Sequence, residues 1–160
     1  MWAGLDLGWK HDTTAIVPLW IRDAEFRLLG PAEIIVPPRN GNTANPDEIK
    51  DAIERVNTRN PITTVVMDMT GGAEIAAWLE HDLGCIVVDR AQSNTFKALD
   101  YSRFMEALRN GWLKHTGDAG LKQHVMNAVA KQLPGGDIVF DRPNDSRHRA
   151  ASRSSAVMRR

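Results

Sequence analysis

Two aspartates in this chain stand where a carboxylate can do chemistry. Asp6 lies in the opening segment MWAGLDLGW, where Trp2, Gly4, Asp6 and Gly8 fall on one face of an extended strand and Ala3, Leu5 and Leu7 on the other. A carboxylate within a buried sheet is costly unless it is paired, hydrogen-bonded or metal-bound, so Asp6 needs a partner. The competing reading is an edge aspartate that faces solvent or caps the following turn. Asp68 closes the run TTVVMD just ahead of MTGG. The carboxyl end of a central strand is where open α/β sheets bind ligands, and Gly71 and Gly72 allow close backbone approach there. Two aspartates at the tips of adjacent strands make a hard-oxygen site suited to Mg²⁺ or Mn²⁺. A pair of such ions serves phosphodiester hydrolysis, one activating water and the other stabilising the leaving oxygen.

The residues around this pair read less sharply. Lys10 and His11 sit between Asp6 and Asp12, placed either to touch a phosphate or to form an ordinary exposed turn. Asp12 itself precedes TTAIV and reads as a turn aspartate capping the next strand. His115 and His124 could orient a water or contact phosphate, but a histidine beside an apolar stripe is more often packed or exposed. Trp2, Trp9, Trp20, Trp78 and Trp112 are too scattered for a base-stacking stripe, and most of them read as core. Cys85, the single cysteine, lies in GCIVVD and reads as a buried thiol; no disulfide can form within the chain.

Several elements must position these groups. MWAGLDLGW, TTAIVPLWI and EFRLLGPAEIIVP read as three successive strands, with Pro18 marking an edge or bulge in the second. Asn45, Pro46 and Glu48 signal a helix start with a capping box, and Ile49, Ile53 and Val56 give that helix its apolar stripe as far as about Asn57. TTVVMDM reads as a strand covered on both faces, AEIAAWLEHDL as a short helix and CIVVD as another buried strand, an order that favours parallel pairing. A helix ending at Gly111 carries Phe96, Leu99, Phe104, Met105 and Leu108 on one side. A second helix carries Leu121, Val125, Val129 and Leu133, and GDIVFDRP adds a last short strand. The sum is an α/β chain: three sequential strands, then alternating helices and strands, in one mixed sheet flanked by helices.

Asp6 in the first strand, Asp12 six residues on, and Asp68 followed by two glycines with a helix from about Glu74 together resemble the nuclease domain of phage terminase large subunits. The later NGWLKHTGD, HVMNAVAK and DIVFDRP with its arginine-rich sequel are similar too, so the resemblance spans nearly the whole chain. It implies a ribonuclease H-like fold and an Mg²⁺- or Mn²⁺-dependent endonuclease with a two-metal site, cutting double-stranded viral DNA during genome packaging. Asp6 and Asp68 would match the family's first two metal-binding aspartates, and Asp12 an auxiliary acid of some members. The implied partners are the terminase ATPase domain, the small terminase subunit and the portal of the procapsid, in the cytoplasm of the bacterial host. Two departures stand out. No stretch reads GxxxxGK followed by Ser or Thr, so the motor half is not encoded here. A third catalytic aspartate, expected on a final helix after the arginine-rich segment, has no counterpart, since neither Asp141 nor Asp145 lies in an apolar helical setting.

Composition bounds the remaining choices. The 160 residues, 42% hydrophobic and 25% charged, suit one ordinary domain. No apolar run approaches the length of a membrane span and no signal-peptide pattern opens the chain, so a cytoplasmic protein without membrane partners is expected. Twenty basic and twenty acidic residues cancel overall, but six arginines and one acid, Asp145, occupy 142–160. We therefore expect a nuclease domain over 1–141 and a basic tail over 142–160. That tail is either a disordered solvated terminus or a phosphate-contacting strip including Arg142, Arg147 and Arg149. Within the same fold, a Holliday-junction resolvase or transposase-type nuclease is the nearest alternative. Actin-like ATPases and sugar kinases share the opening Asp-x-Gly strand but need a second domain. A DNA-binding or packaging module that has lost its nuclease site is the third.

Overall fold

The computed structural model describes residues 1–22, 26–38 and 40–141. The tail 142–160, and with it Arg142, Arg147 and Arg149, lies outside the described residues. The chain opens with β1 (Trp2–Asp6), β2 (Thr14–Arg22), β3 (Phe26–Leu29) and β4 (Glu33–Ile35). Helix α1 (Pro46–Arg59), β5 (Thr64–Met67), α2 (Ala73–His81) and β6 (Ile86–Asp89) follow in alternation. The remainder is α3 (Asn94–Arg109), β7 (Leu113–His115), α4 (Ala119–Asn127), β8 (Val129–Gln132) and β9 (Ile138–Asp141).

Seven strands form one mixed sheet in the order β6-β5-β1-β2-β3-β7, with β4 also pairing to β2. β1 runs antiparallel to β2 and parallel to β5, which is in turn parallel to β6. The carboxyl ends of β1, β5 and β6 therefore open on one edge of the sheet. α1 and α2 cover one face, where Ala3, Leu5, Ile16, Val65 and Met67 from the strands meet Ile49, Ile53, Val56, Ile75 and Leu79 from the helices. The expected α1 stripe is buried residue for residue, and the Cys85 thiol is buried beside the Ile62 carbonyl. Asn45 does cap α1, but its side chain accepts from Asp47 N–H, one residue earlier than a capping box would use.

Several sequence expectations need correction. The third strand splits at Gly30 and Pro31 into β3 and β4. Pro18 lies in a strand flanked on both sides, yet the ladder on one side is broken there: β4 pairs with 14–16 and β3 with 19–22. Because a residue's N and O point to the same side of a strand, and Pro18 O accepts Gly30 N–H at 2.9 Å, its missing donor faces this gap. Among the described residues β6 is an edge strand rather than a buried one, leaving Ile86 65% exposed, because none of them forms a further strand beyond it. α4 ends at Asn127, and Val129–Gln132 instead pairs with Ile138–Asp141 as a hairpin. The LPGGD turn that reverses the chain outweighs the helical spacing of Val129 and Leu133. α3 has no fully buried residue; Phe96, Leu99 and Leu108 stay exposed, and it is β9 that packs on this helix, through Phe140 against Tyr101 and Phe104.

Candidate functional site

Asp6 is the last residue of β1 and is exposed, so it does not lie within the buried part of the sheet as its spacing suggested. The side-chain alternation of the strand is nonetheless as expected, with Ala3 and Leu5 in the core. Leu5 is the register partner of Met67, so Asp6 and Asp68 follow side by side at the ends of neighbouring parallel strands. Adjacent strands are about 4.8 Å apart, which brings the two carboxylates within reach of one ligand.

Gln92, in the loop between β6 and α3, joins them. Its Nε2 donates to Asp6 Oδ1 at 2.9 Å while its backbone N–H donates to Asp68 Oδ2 at 3.1 Å. The other oxygen of Asp68 accepts Thr70 N–H at 2.8 Å. The Thr70 backbone N–H first, then the Thr70 hydroxyl and the Gln92 N–H, hold the Asp68 carboxyl below the usual carboxylate range; the Lys97 charge adds to this and burial opposes it. The turn after Asp68 depends on glycine. Gly71 has φ +72°, a left-handed conformation that side chains disfavour, and Gly72 N–H closes the turn onto Met69 O at 3.0 Å.

Asp89 and Gln92 escaped the sequence reading. Asp89 ends β6 opposite Met67 and accepts Met69 N–H at 3.2 Å. CIVVD repeats the form of VVMD, an apolar strand closed by an aspartate, and that was the available signal. Nothing in the polar run RAQSN distinguishes Gln92, whose place comes from the loop. Arg90 anchors that loop, with Nε and Nη2 on the two Asp100 oxygens at 3.1 and 2.6 Å and its guanidinium 4.1 Å from the Phe96 ring centroid.

Lys10, His11 and Asp12 lie together in the β1–β2 loop, exposed. Lys10 and His11 line an open groove of about 420 Å³ with Thr13, Val36, Pro37, Pro38 and Gly41. Asp12 does not join Asp6 and Asp68 in a three-carboxylate cluster: among the described residues no three His, Cys, Asp or Glu side chains gather closely enough to hold a metal ion. His115 Nδ1 accepts Gly117 N–H at 3.1 Å, a turn role. The donors at Asp6 and Asp68 still suit a hard cation. A carboxylate offers about four lone-pair sites, so acceptor capacity remains on both. Mg²⁺ is commonly held by one or two carboxylates while keeping several waters.

No family model matches the chain, and no curated protein matches its sequence. Solved structures do. The large terminase of bacteriophage HK97 superposes with a TM-score of 0.72 at 16% identity, over 87% of this chain and 34% of that one. The large terminase nuclease of thermophilic phage G20c with bound magnesium gives 0.65 at 18% identity, over 89% of this chain and 71% of that one. The nuclease domain of the bacteriophage SPP1 large terminase with bound Mn gives 0.56 at 13% identity, over 93% and 80%. The chain thus spans about a third of the length of the HK97 protein. It resembles the nuclease domains of phage large terminases and has their fold, a ribonuclease H-like mixed sheet flanked by helices.

Proposed function

We propose that this chain is a divalent-metal-dependent nuclease domain that cleaves double-stranded viral DNA during genome packaging. One observation carries the reading: Asp6 and Asp68 stand at adjacent strand tips, bridged by Gln92, in a fold whose terminase relatives include nucleases with bound magnesium and Mn. Asp6 and Asp68 would hold Mg²⁺ or Mn²⁺, which supplies Lewis-acid chemistry at a phosphodiester when bound. Thr70 and Gln92 keep Asp68 ionised and oriented. Asp12 serves as an auxiliary acid in the loop beside the site. Lys10 and His11, with Arg142, Arg147 and Arg149 of the tail, contact backbone phosphates, a sequence-independent mode of binding. The partners are double-stranded DNA, a terminase ATPase domain, the small subunit and the portal, in the host cytoplasm. Among the described residues no helix is long and apolar enough to cross a membrane.

A second reading, a DNA-binding packaging module without nuclease activity, is favoured by the lack of a third ligating side chain among the described residues. Nicking of supercoiled plasmid in Mn²⁺ separates the two. The nuclease reading expects nicking that EDTA abolishes and that Asp6→Asn or Asp68→Asn reduces at least about a hundredfold. DNA binding without Mn²⁺-dependent nicking would establish the packaging module instead.

A further inference from the structure

Gln92 touches both aspartates of the site through different groups. Its backbone N–H holds Asp68 Oδ2, a bond that survives any change of side chain, and its carboxamide holds Asp6 Oδ1. Two adjacent carboxylates repel, and a free Asp6 side chain at an exposed strand tip would turn toward water. The carboxamide opposes this by tethering one Asp6 oxygen to the same residue that tethers Asp68, which leaves the second Asp6 oxygen as the one available to a shared ligand. The tether is itself anchored: Arg90, two residues earlier, is bonded to Asp100, and Ser93, one residue later, caps α3 by accepting Phe96 N–H. No third carboxylate takes this position among the described residues.

We propose that Gln92 is a positioning residue of the site, its side-chain amide fixing Asp6 toward Asp68 and thereby setting the affinity for a divalent cation. This rests on the reading of Asp6 and Asp68 as metal ligands. Outer-sphere hydrogen-bond partners of metal ligands are worth about 10–100-fold in affinity. Gln92→Ala should therefore weaken Mn²⁺ binding about tenfold by titration calorimetry, without altering the backbone bond to Asp68. Gln92→Glu places a third carboxylate at the same point and should tighten Mn²⁺ binding about tenfold, because the charge count of oxygen ligands tunes such sites. Gln92 is exposed, so Gln92→Ala should melt as the wild-type chain does in EDTA, whereas Gln92→Glu, which sets a third carboxylate beside two others, should melt lower in EDTA and regain stability with Mn²⁺. A readout independent of the cation is the Gln92 side-chain amide signal in NMR, which should move in Asp6→Ala and again on Mg²⁺ titration of the wild-type chain.

The outcomes divide cleanly. If the wild-type chain and Gln92→Ala bind Mn²⁺ alike, and the amide signal ignores Asp6→Ala, the assignment of Gln92 is overturned while the nuclease reading stands. If Mn²⁺ binds with the expected dependence on Gln92 yet no DNA is nicked, the nuclease reading fails and Gln92 keeps its role. If the wild-type chain binds no Mn²⁺, both are overturned.

Discussion

Gly8 and Thr14 clasp the base of the loop that carries Lys10, His11 and Asp12. Gly8 N–H donates to Thr14 Oγ1 at 3.0 Å, and the Thr14 hydroxyl donates back to Gly8 O at 3.2 Å. Thr14 is fully buried, so the exchange satisfies a hydroxyl that would otherwise lack water. A Cβ on Gly8 would meet Asp12 O at 2.2 Å, a backbone atom that cannot swing aside. Thr14→Val should cost about 1–3 kcal/mol by leaving the Gly8 amide buried without its partner. Gly8→Ala should cost about 2–3 kcal/mol through the clash and displace the loop, read as a lowered urea midpoint with raised hydrogen exchange around Asp12.

Asp68 gives a pH dependence with a definite sign. Its carboxyl is held below the ordinary value of 3.8, first by the Thr70 backbone N–H. A depressed folded pKa contributes stability that is complete above the unfolded value and is lost as pH falls through the folded one. The loss therefore begins near 3.8 and deepens at lower pH. Asp68→Asn cannot titrate, so the wild-type chain should lose stability relative to it on acidification from about pH 6 to about pH 3. Urea unfolding at the two pH values measures this, and a constant difference between the chains would contradict it.

Arg90 and Asp100 test how firmly the Gln92 loop is held. Both partners are partly exposed, so the pair's contribution to global stability should be small, about 0.2–1 kcal/mol in Asp100→Asn. The local effect should be larger. Arg90→Lys keeps the charge but loses the two-pronged contact and the stacking on Phe96. Amide exchange at 90–93 should quicken in both variants while the melting temperature barely moves.

Phe140 pins the β8–β9 hairpin to α3 by edge-on contacts at 4.4 Å to Tyr101 and 6.1 Å to Phe104. Phe140→Ala should cost about 1–2 kcal/mol, at the lower end of aromatic truncations because the ring is 39% exposed. Protease nicking between 128 and 138 should speed up, while the α1 and α2 amides keep their protection. Equal loss of protection throughout would show that the hairpin is integral to the main core.

Local pattern was enough to place the central part of this protein. The stripe of Ile49, Ile53 and Val56, the β-branched run before Asp68 and the strand alternation around Asp6 each reflect the period of one element, and periodicity is written in neighbouring residues. The same pattern put Asp68 at a strand tip, because a polar residue that ends an apolar run marks where a strand leaves the core, whereas Asp6, read within its strand, is the exposed last residue of β1. Pairing is different in kind. That β1 lies directly beside β5, that β6 forms an edge, and that Val129–Gln132 joins a hairpin instead of extending α4 depend on contacts between distant segments, which no local period encodes. Gln92 shows the limit most clearly. It lies 86 residues from Asp6 in a polar loop with no motif, and only the packing of β6 and α3 brings its amide to the carboxylate. Residue types and spacing singled out Asp6, but as a buried carboxylate; the tertiary structure exposes it at the end of β1 and decided that the partner bonded to it is Gln92, because hydrogen bonds follow distance in space and not separation along the chain.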